Sequence, residues 1–215
     1  MAEGKKPYPA GLSVDYPDRE LNRLTSFLRL IMIIPIAVVL CLVSGAVFSS
    51  EDDHGWVAMF SAGGVLFLAT MLMLVFRQKY PRWWFDWNIA LTRFGARVGA
   101  YLALLRDEYP STDEDQAVHI AMPYPDAKKD LNRWLPLVKW LLAIPHYIIL
   151  FFLGIAAIFV VIIAWFAILF TGRYPKGLFD FVVGVMRWSL RVSAYAALLT
   201  TDDYPPFTLK EQALQ

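Results

Sequence analysis

A chain of 215 residues has room for one compact domain or two small repeats. With 58% hydrophobic and 18% charged residues it lies well away from the balance of a soluble globular domain. The single cysteine, Cys41, lies inside an apolar run, which excludes a disulfide framework and a cysteine metal cage.

The chain opens on a polar, proline-rich stretch, Met1 to Pro17, that does not read as a cleavable signal peptide. Three later stretches lack Asp, Glu, Lys and Arg: Leu30 to Phe48 (19 residues), Trp56 to Phe76 (21) and Trp140 to Phe170 (31). A helix crossing the hydrocarbon core needs about 20 apolar residues, so each of the first two fits one crossing. A soluble chain of this size has too little polar surface to bury three such runs. The reading is an integral membrane protein.

Ordered matches divide the chain into two tandem copies, 8–112 and 116–210. Leu12 to Asp18 resembles Ile120 to Asp126, and Leu21-Asn22-Arg23 returns as Leu131-Asn132-Arg133. Ile34-Pro35 returns as Ile144-Pro145, Tyr80-Pro81 as Tyr174-Pro175, and Tyr109-Pro110 as Tyr204-Pro205. The offset falls from 110 at Pro35 to 94 at Tyr80, so the first copy carries 16 extra residues, among them the loop Ser49 to Gly55. That loop separates two apolar arms, whereas the second copy runs 31 residues together. As one helix those residues would be roughly 46 Å long, so the expectation is a tight hairpin turning near Gly154, with one long tilted helix as the alternative. In the hairpin arrangement all 20 Lys and Arg fall on one side, which places both termini in the cytoplasm.

After each hairpin comes a mostly apolar segment with a narrow charged stripe: Asp86, Arg93 and Arg97, then Asp180, Arg187 and Arg191. Spacings of 7 and 4 put each set on one helical face. Charge placement favours helices lying in the membrane interface, stripe toward the headgroups, over a third crossing per copy. The Arg residues are candidate contacts for lipid phosphate or a partner. Trp83, Trp84 and Trp188 join them as candidate lipid or partner contacts at membrane boundaries. Seven of the ten tyrosines precede a proline, and each Tyr-Pro is expected to start or stop a helix with its ring as an interfacial anchor.

Pro35 and Pro145 should kink their helices, and with His146 they form a candidate kink or pore feature. His54, His119 and His146 lack partners at metal-ligand spacing, and the counterpart of His146 is Ile36. No phosphate loop and no catalytic triad spacing is present. No enzyme activity, cofactor or metal is expected.

The stretch Leu142 to His146, then Trp165 to Pro175, Phe179 through Arg187, Arg191 and Tyr195, and Asp203-Tyr-Pro-Pro-Phe207 resembles the bacterial membrane family catalogued as domain of unknown function 4389. The second copy matches almost throughout, and the first is diverged. The resemblance implies a small protein of the bacterial inner membrane and supplies no activity. The fold expected is all-α and multi-pass, a tandem repeat of a transmembrane hairpin followed by an amphipathic interfacial helix. The expected partners are membrane lipids, anionic ones among them, and a larger membrane complex or a homo-oligomer. Nucleic acid is excluded because the basic residues flank membrane segments. The function expected is a non-catalytic accessory or scaffold subunit, with a transporter, channel or lipid-handling protein as the alternative.

Overall fold

The structure is a computed structural model that describes residues 8–44 and 63–211, and the loop Ser49–Gly55, Gly45 and His54 lie outside the described residues. Helix α1 (Arg23–Met32) starts on Asn22, whose side chain accepts the N–H groups of Leu24 and Thr25 and so fills the orphan donors of a first turn. It breaks at Ile33, and α2 (Ile34–Ser44) leaves at 43° to it. Pro35 in the first turn of α2 lacks the N–H that would continue α1. Helices α3 (Gly63–Arg77) and α4 (Arg82–Leu102) follow, the second starting on Pro81. The pattern recurs as α5 (Pro136–Leu142), a break at Ala143, α6 (Ile144–Thr171) with Pro145 in its first turn, and α7 (Lys176–Ala196) starting on Pro175. Gly172 closes α6 at φ +74°, a left-handed cap that suits glycine.

The fold is mostly helical, and α6 corrects the expected hairpin. Residues 144–171 form one helix about 42 Å long that runs through Gly154 without turning. Nothing near Gly154 stops a helix: no proline or polar residue interrupts Leu150 to Ile163, and the glycine's missing side chain leaves only open space beside it. Only 6% of the apolar stretch of α6 is buried. A core helix of a soluble protein would hide its surface, but α6 exposes Phe151, Phe152, Ile158, Phe159, Phe166 and Phe170. Among the described residues α6 is the one unbroken helix long and apolar enough to cross a membrane, and α1 with α2 passes the same test only as a bent pair.

Helix α7 packs antiparallel along α6, with Ala143 and Leu153 against Trp188 and Val192 at one end and Ile168 against Phe179 at the other. Its opposite side carries strand β1 (Gly11–Val14), while strand β2 (Val118–Ala121) lies on α4. No strand was expected, yet these two form an antiparallel ribbon with Leu12 opposite Ile120. Helix α7 is therefore a core helix, not an exposed interfacial one, and none of its large apolar side chains is exposed. Its stripe turns inward because the ribbon supplies backbone carbonyls for the guanidiniums (below), so headgroups are not needed as acceptors.

The contacts around the ribbon are reciprocal. The Tyr16 hydroxyl donates to the Tyr174 carbonyl at 2.5 Å, and the Tyr124 hydroxyl donates to the Tyr80 carbonyl. Tyr16 meets the Phe179 ring edge-on, and Tyr124 meets Phe85 in the same way. Tyr80-Pro81 and Tyr174-Pro175 start helices as expected, whereas the other five Tyr-Pro pairs lie away from helix ends; Tyr80 and Tyr174 are 1% exposed, interior fasteners rather than interfacial anchors.

Candidate functional site

The most heavily built polar features are two buried cations, one on each short first helix. On α1, Arg29 is 2% exposed. Its Nη1 donates to the carbonyls of Tyr101 at 2.8 Å and Arg106 at 2.5 Å, and its Nη2 pairs with Asp107. The guanidinium lies 4.2 Å from the Tyr101 ring centroid, close enough for a cation–π contact. On α5, Lys139 is fully buried; its Nζ donates to the Thr201 carbonyl at 2.6 Å and stands 2.6 Å from Asp202 Oδ1. Its ring neighbour is Tyr195, at 5.1 Å. Each aspartate also accepts a backbone N–H with its second oxygen, Asp107 from Asn22, the cap of α1, and Asp202 from Asn132, four residues before α5. Two local facts produce the site. Ile33 and Ala143 break the helices just after the cations, and the chain turns back behind α4 and α7 to deliver the aspartates. Leu104 and Leu199 make those returns at φ +61° and +57°, a left-handed conformation costly for a branched side chain.

The stripes have internal partners. Arg187 Nε donates to the Leu12 carbonyl at 2.8 Å and Nη1 to the Leu209 carbonyl at 3.0 Å, with Glu211 3.5 Å from Nη2. Arg191, 1% exposed, donates to the carbonyls of Thr208 and Lys210. Arg97 donates to the Ser111 carbonyl at 2.8 Å, and the more exposed Arg93 reaches the Ile120 carbonyl at 3.4 Å. Asp86 and Asp180 are exposed, and among the described residues no ion pair joins them to the stripe arginines. These guanidiniums fasten the ribbon and the C-terminal tail to α4 and α7.

Trp83 and Trp84 sit side by side at the start of α4; Trp83 is exposed, and Trp84 Nε1 donates to Thr70 Oγ1. Trp188 departs from its expected boundary position: it is 6% exposed and donates from Nε1 to His146 Nδ1 at 3.1 Å. Burial follows from its place on α7, facing the start of α6. His146 is fully buried, stacked on Phe207 at 4.1 Å, and Nε2 has no partner among the described residues. Pro35 and Pro145 each stand in the first turn of a helix just after a one-residue break, and the break residues Ile33 and Ala143 are buried.

Burial raises the Tyr8 phenol well above its usual range, with Asp203 adding to the effect; its hydroxyl donates to the carbonyls of Arg191 and Asp203. Burial works against ionised Glu108. Hydrogen bonds from Arg106 and the Ala117 N–H outweigh it and hold this carboxyl below its usual range. Among the described residues no three His, Cys, Asp or Glu groups gather as metal ligands.

The comparisons with known proteins agree with one part of this picture. Residues 134–208 match the model of the domain of unknown function DUF4389. The match begins just before α5, takes in α6 and α7 and ends in the tail beside His146, so Lys139, Asp202 and the second stripe all lie within the matched stretch. No curated protein and no solved structure matches the chain. Sequence reasoning missed Arg29 and Lys139 as partners of Asp107 and Asp202. The signal was available, since a cation seven residues after the matched Asn22 and Asn132 and an aspartate just before each closing Tyr-Pro occur in both copies.

Proposed function

We propose that this chain is a multi-pass protein of the bacterial inner membrane, made of two tandem copies, 8–112 and 116–210, and acting as a non-catalytic accessory or scaffold subunit. The observation that carries the reading is the division of its groups. Arg29, Arg97, Lys139, Arg187 and Arg191 are committed to internal carbonyls and carboxylates, while the broad apolar flank of α1, α2 and α6 is exposed. Such a body offers neighbours an apolar flank for lipid or helix packing, and its buried cations are tied up in holding the fold together.

Duplication is supported by the reciprocity of the contacts. Each copy lends its N-terminal arm to the other, β1 to α7 and β2 to α4, and Arg187 and Arg93 hold the carbonyls of matched residues Leu12 and Ile120. The buried pairs Arg29–Asp107 and Lys139–Asp202 repeat within each copy. In that reading the first copy carries its extra residues as an insertion between the counterparts of the two halves of α6. Both termini on one side is supported by Tyr8, whose hydroxyl is 3.2 Å from the Asp203 carbonyl. With α6 as one helix, Arg173 and Lys176 stand at its far end from Lys128, Lys129 and Arg133, so the assignment of that side to the cytoplasm keeps only the charge count of the first copy's arms.

The test is gentle-detergent purification at natural abundance followed by mass spectrometry of what travels with the chain. A stoichiometric membrane partner is the expected result. A chain that is always alone and monodisperse would remove the accessory reading.

A further inference from the structure

Between α1, the end of α4 and the second half of α6 lies a cavity of about 340 Å³, within the size range of small-molecule sites. Its walls are apolar, from Phe27, Leu30, Leu102, Val161, Ile162 and Phe166, and several of these continue onto the exposed flank. Trp165 closes one side, stacked on Phe27, with Nε1 donating to the Ser26 carbonyl at 3.1 Å. Two polar residues line the apolar space. Among the described residues Ser26, 1% exposed, has no partner for Oγ, and Arg29, 2% exposed, has none for Nε. Buried donors left unmade are costly, and most find an acceptor.

We propose that this cavity holds an acyl chain of a membrane diacyl lipid, with its ester carbonyl oxygen accepting from Ser26 Oγ–H and Arg29 Nε–H once small side-chain shifts uncover these two atoms, which have no exposed surface in the empty cavity. Chemistry narrows the occupant. Both orphaned groups can donate, so the ligand must bring an acceptor into an apolar slot. Asp107 already neutralises the Arg29 guanidinium and two carbonyls take its Nη1, so an uncharged acceptor fits better than a second carboxylate, which would be buried uncompensated. The mouth opens where Phe27, Leu30 and Phe166 are exposed, on the flank that lipid covers. The feature belongs to one copy: the counterpart of Ser26 is Pro136, which has no hydroxyl and no N–H. This inference rests on the membrane reading of α6.

The full chain in phosphatidylethanolamine–phosphatidylglycerol vesicles is labelled with a phosphatidylcholine carrying a mid-chain diazirine, and crosslinked residues are mapped by mass spectrometry. Labelling is expected to concentrate on Phe27, Leu30 and Phe166 over the equally exposed Phe151 and Phe152. Ile162→Trp, or Leu102→Trp from the facing wall, should cut the cavity labelling by about fivefold or more and leave Phe151 and Phe152 unchanged. Ser26→Val should weaken retention of one diacyl lipid, read by native mass spectrometry, by about two- to tenfold. Uniform labelling, or labelling indifferent to both tryptophan variants, overturns the site while leaving the membrane reading intact. No labelling of Phe151 or Phe152 either would remove the membrane reading itself. A retained fatty acid or isoprenoid quinone in place of a diacyl lipid overturns the assigned occupant.

Discussion

Asp202→Ala should be one of the most damaging single changes outside the apolar core, because of what it leaves behind. Lys139 has no exposed side-chain surface, and its Nζ is 2.6 Å from Asp202 Oδ1. Removing one partner of a buried pair costs about 3–5 kcal/mol, since the surviving charge keeps its desolvation penalty without its counter-charge. Asp202 is 23% exposed and the Thr201 carbonyl remains, so the lower end applies, about 3 kcal/mol. The Asn132 N–H also loses its acceptor, a further ~1 kcal/mol. For a chain of this size each kcal/mol moves the midpoint by about 2–4 °C, so the apparent Tm in one detergent at one scan rate should fall by roughly 8–16 °C. Lys139→Met removes the buried charge and leaves a carboxylate that reaches water, so it should cost clearly less. The double variant Lys139→Met/Asp202→Ala should recover most of the loss, leaving about 1 kcal/mol for the orphaned Asn132 N–H. A drop under about 3 °C for Asp202→Ala, or a double variant as unstable as the aspartate variant alone, would refute the reasoning.

Gly184→Ala would place a Cβ 2.9 Å from Leu209 Cβ and 3.2 Å from its carbonyl oxygen, so the tail must lift off α7. A loss of about 1–3 kcal/mol and faster proteolysis after Phe207 are expected; an unchanged digestion pattern would count against the tail's docking. His146→Ile, which installs the residue found at position 36, orphans the Trp188 Nε1 donor. A loss of about 1–3 kcal/mol with altered tryptophan fluorescence is expected. Glu108 has its pKa depressed in the folded chain, so it adds stability above the unfolded carboxyl range that is lost as pH falls through the folded value. Glu108→Gln should therefore destabilise at pH 7, and its difference from the parent should shrink as pH falls through the folded value.

Much of the helical layout is legible in the sequence because its signals are local. Pro81 and Pro175 start helices where Tyr-Pro pairs stand, and Pro35 and Pro145 follow breaks because proline cannot continue the preceding turn. The hairpin near Gly154 failed for the opposite reason: its support was analogy with the loop at Ser49–Gly55, the length of the run and the one-sided charge count, none of them a local stop signal, and one glycine in an apolar helix costs too little to stop it. The inward turn of the Arg stripes was not legible. Spacing puts Arg187 and Arg191 on one face, but it cannot show that Leu12, 175 residues away, would bring a carbonyl to that face. The ribbon escaped notice because each strand has four residues and its register is set by a partner about a hundred residues distant. Arg29 and Lys139 read as flanking charges because their aspartates lie 78 and 63 residues away.

The central claim is that α6 is one continuous helix embedded in lipid. A nitroxide scan from Tyr147 to Phe170 in a Cys41→Ser background, read as relative accessibility to oxygen and to a water-soluble nickel chelate in vesicles, tests it directly. The account predicts high oxygen and low nickel accessibility on the face of Phe152, Phe159 and Phe166, with one depth maximum near Ile155 to Phe159. A depth minimum at Gly154 flanked by two maxima would restore the hairpin, and nickel accessibility throughout would contradict the membrane reading.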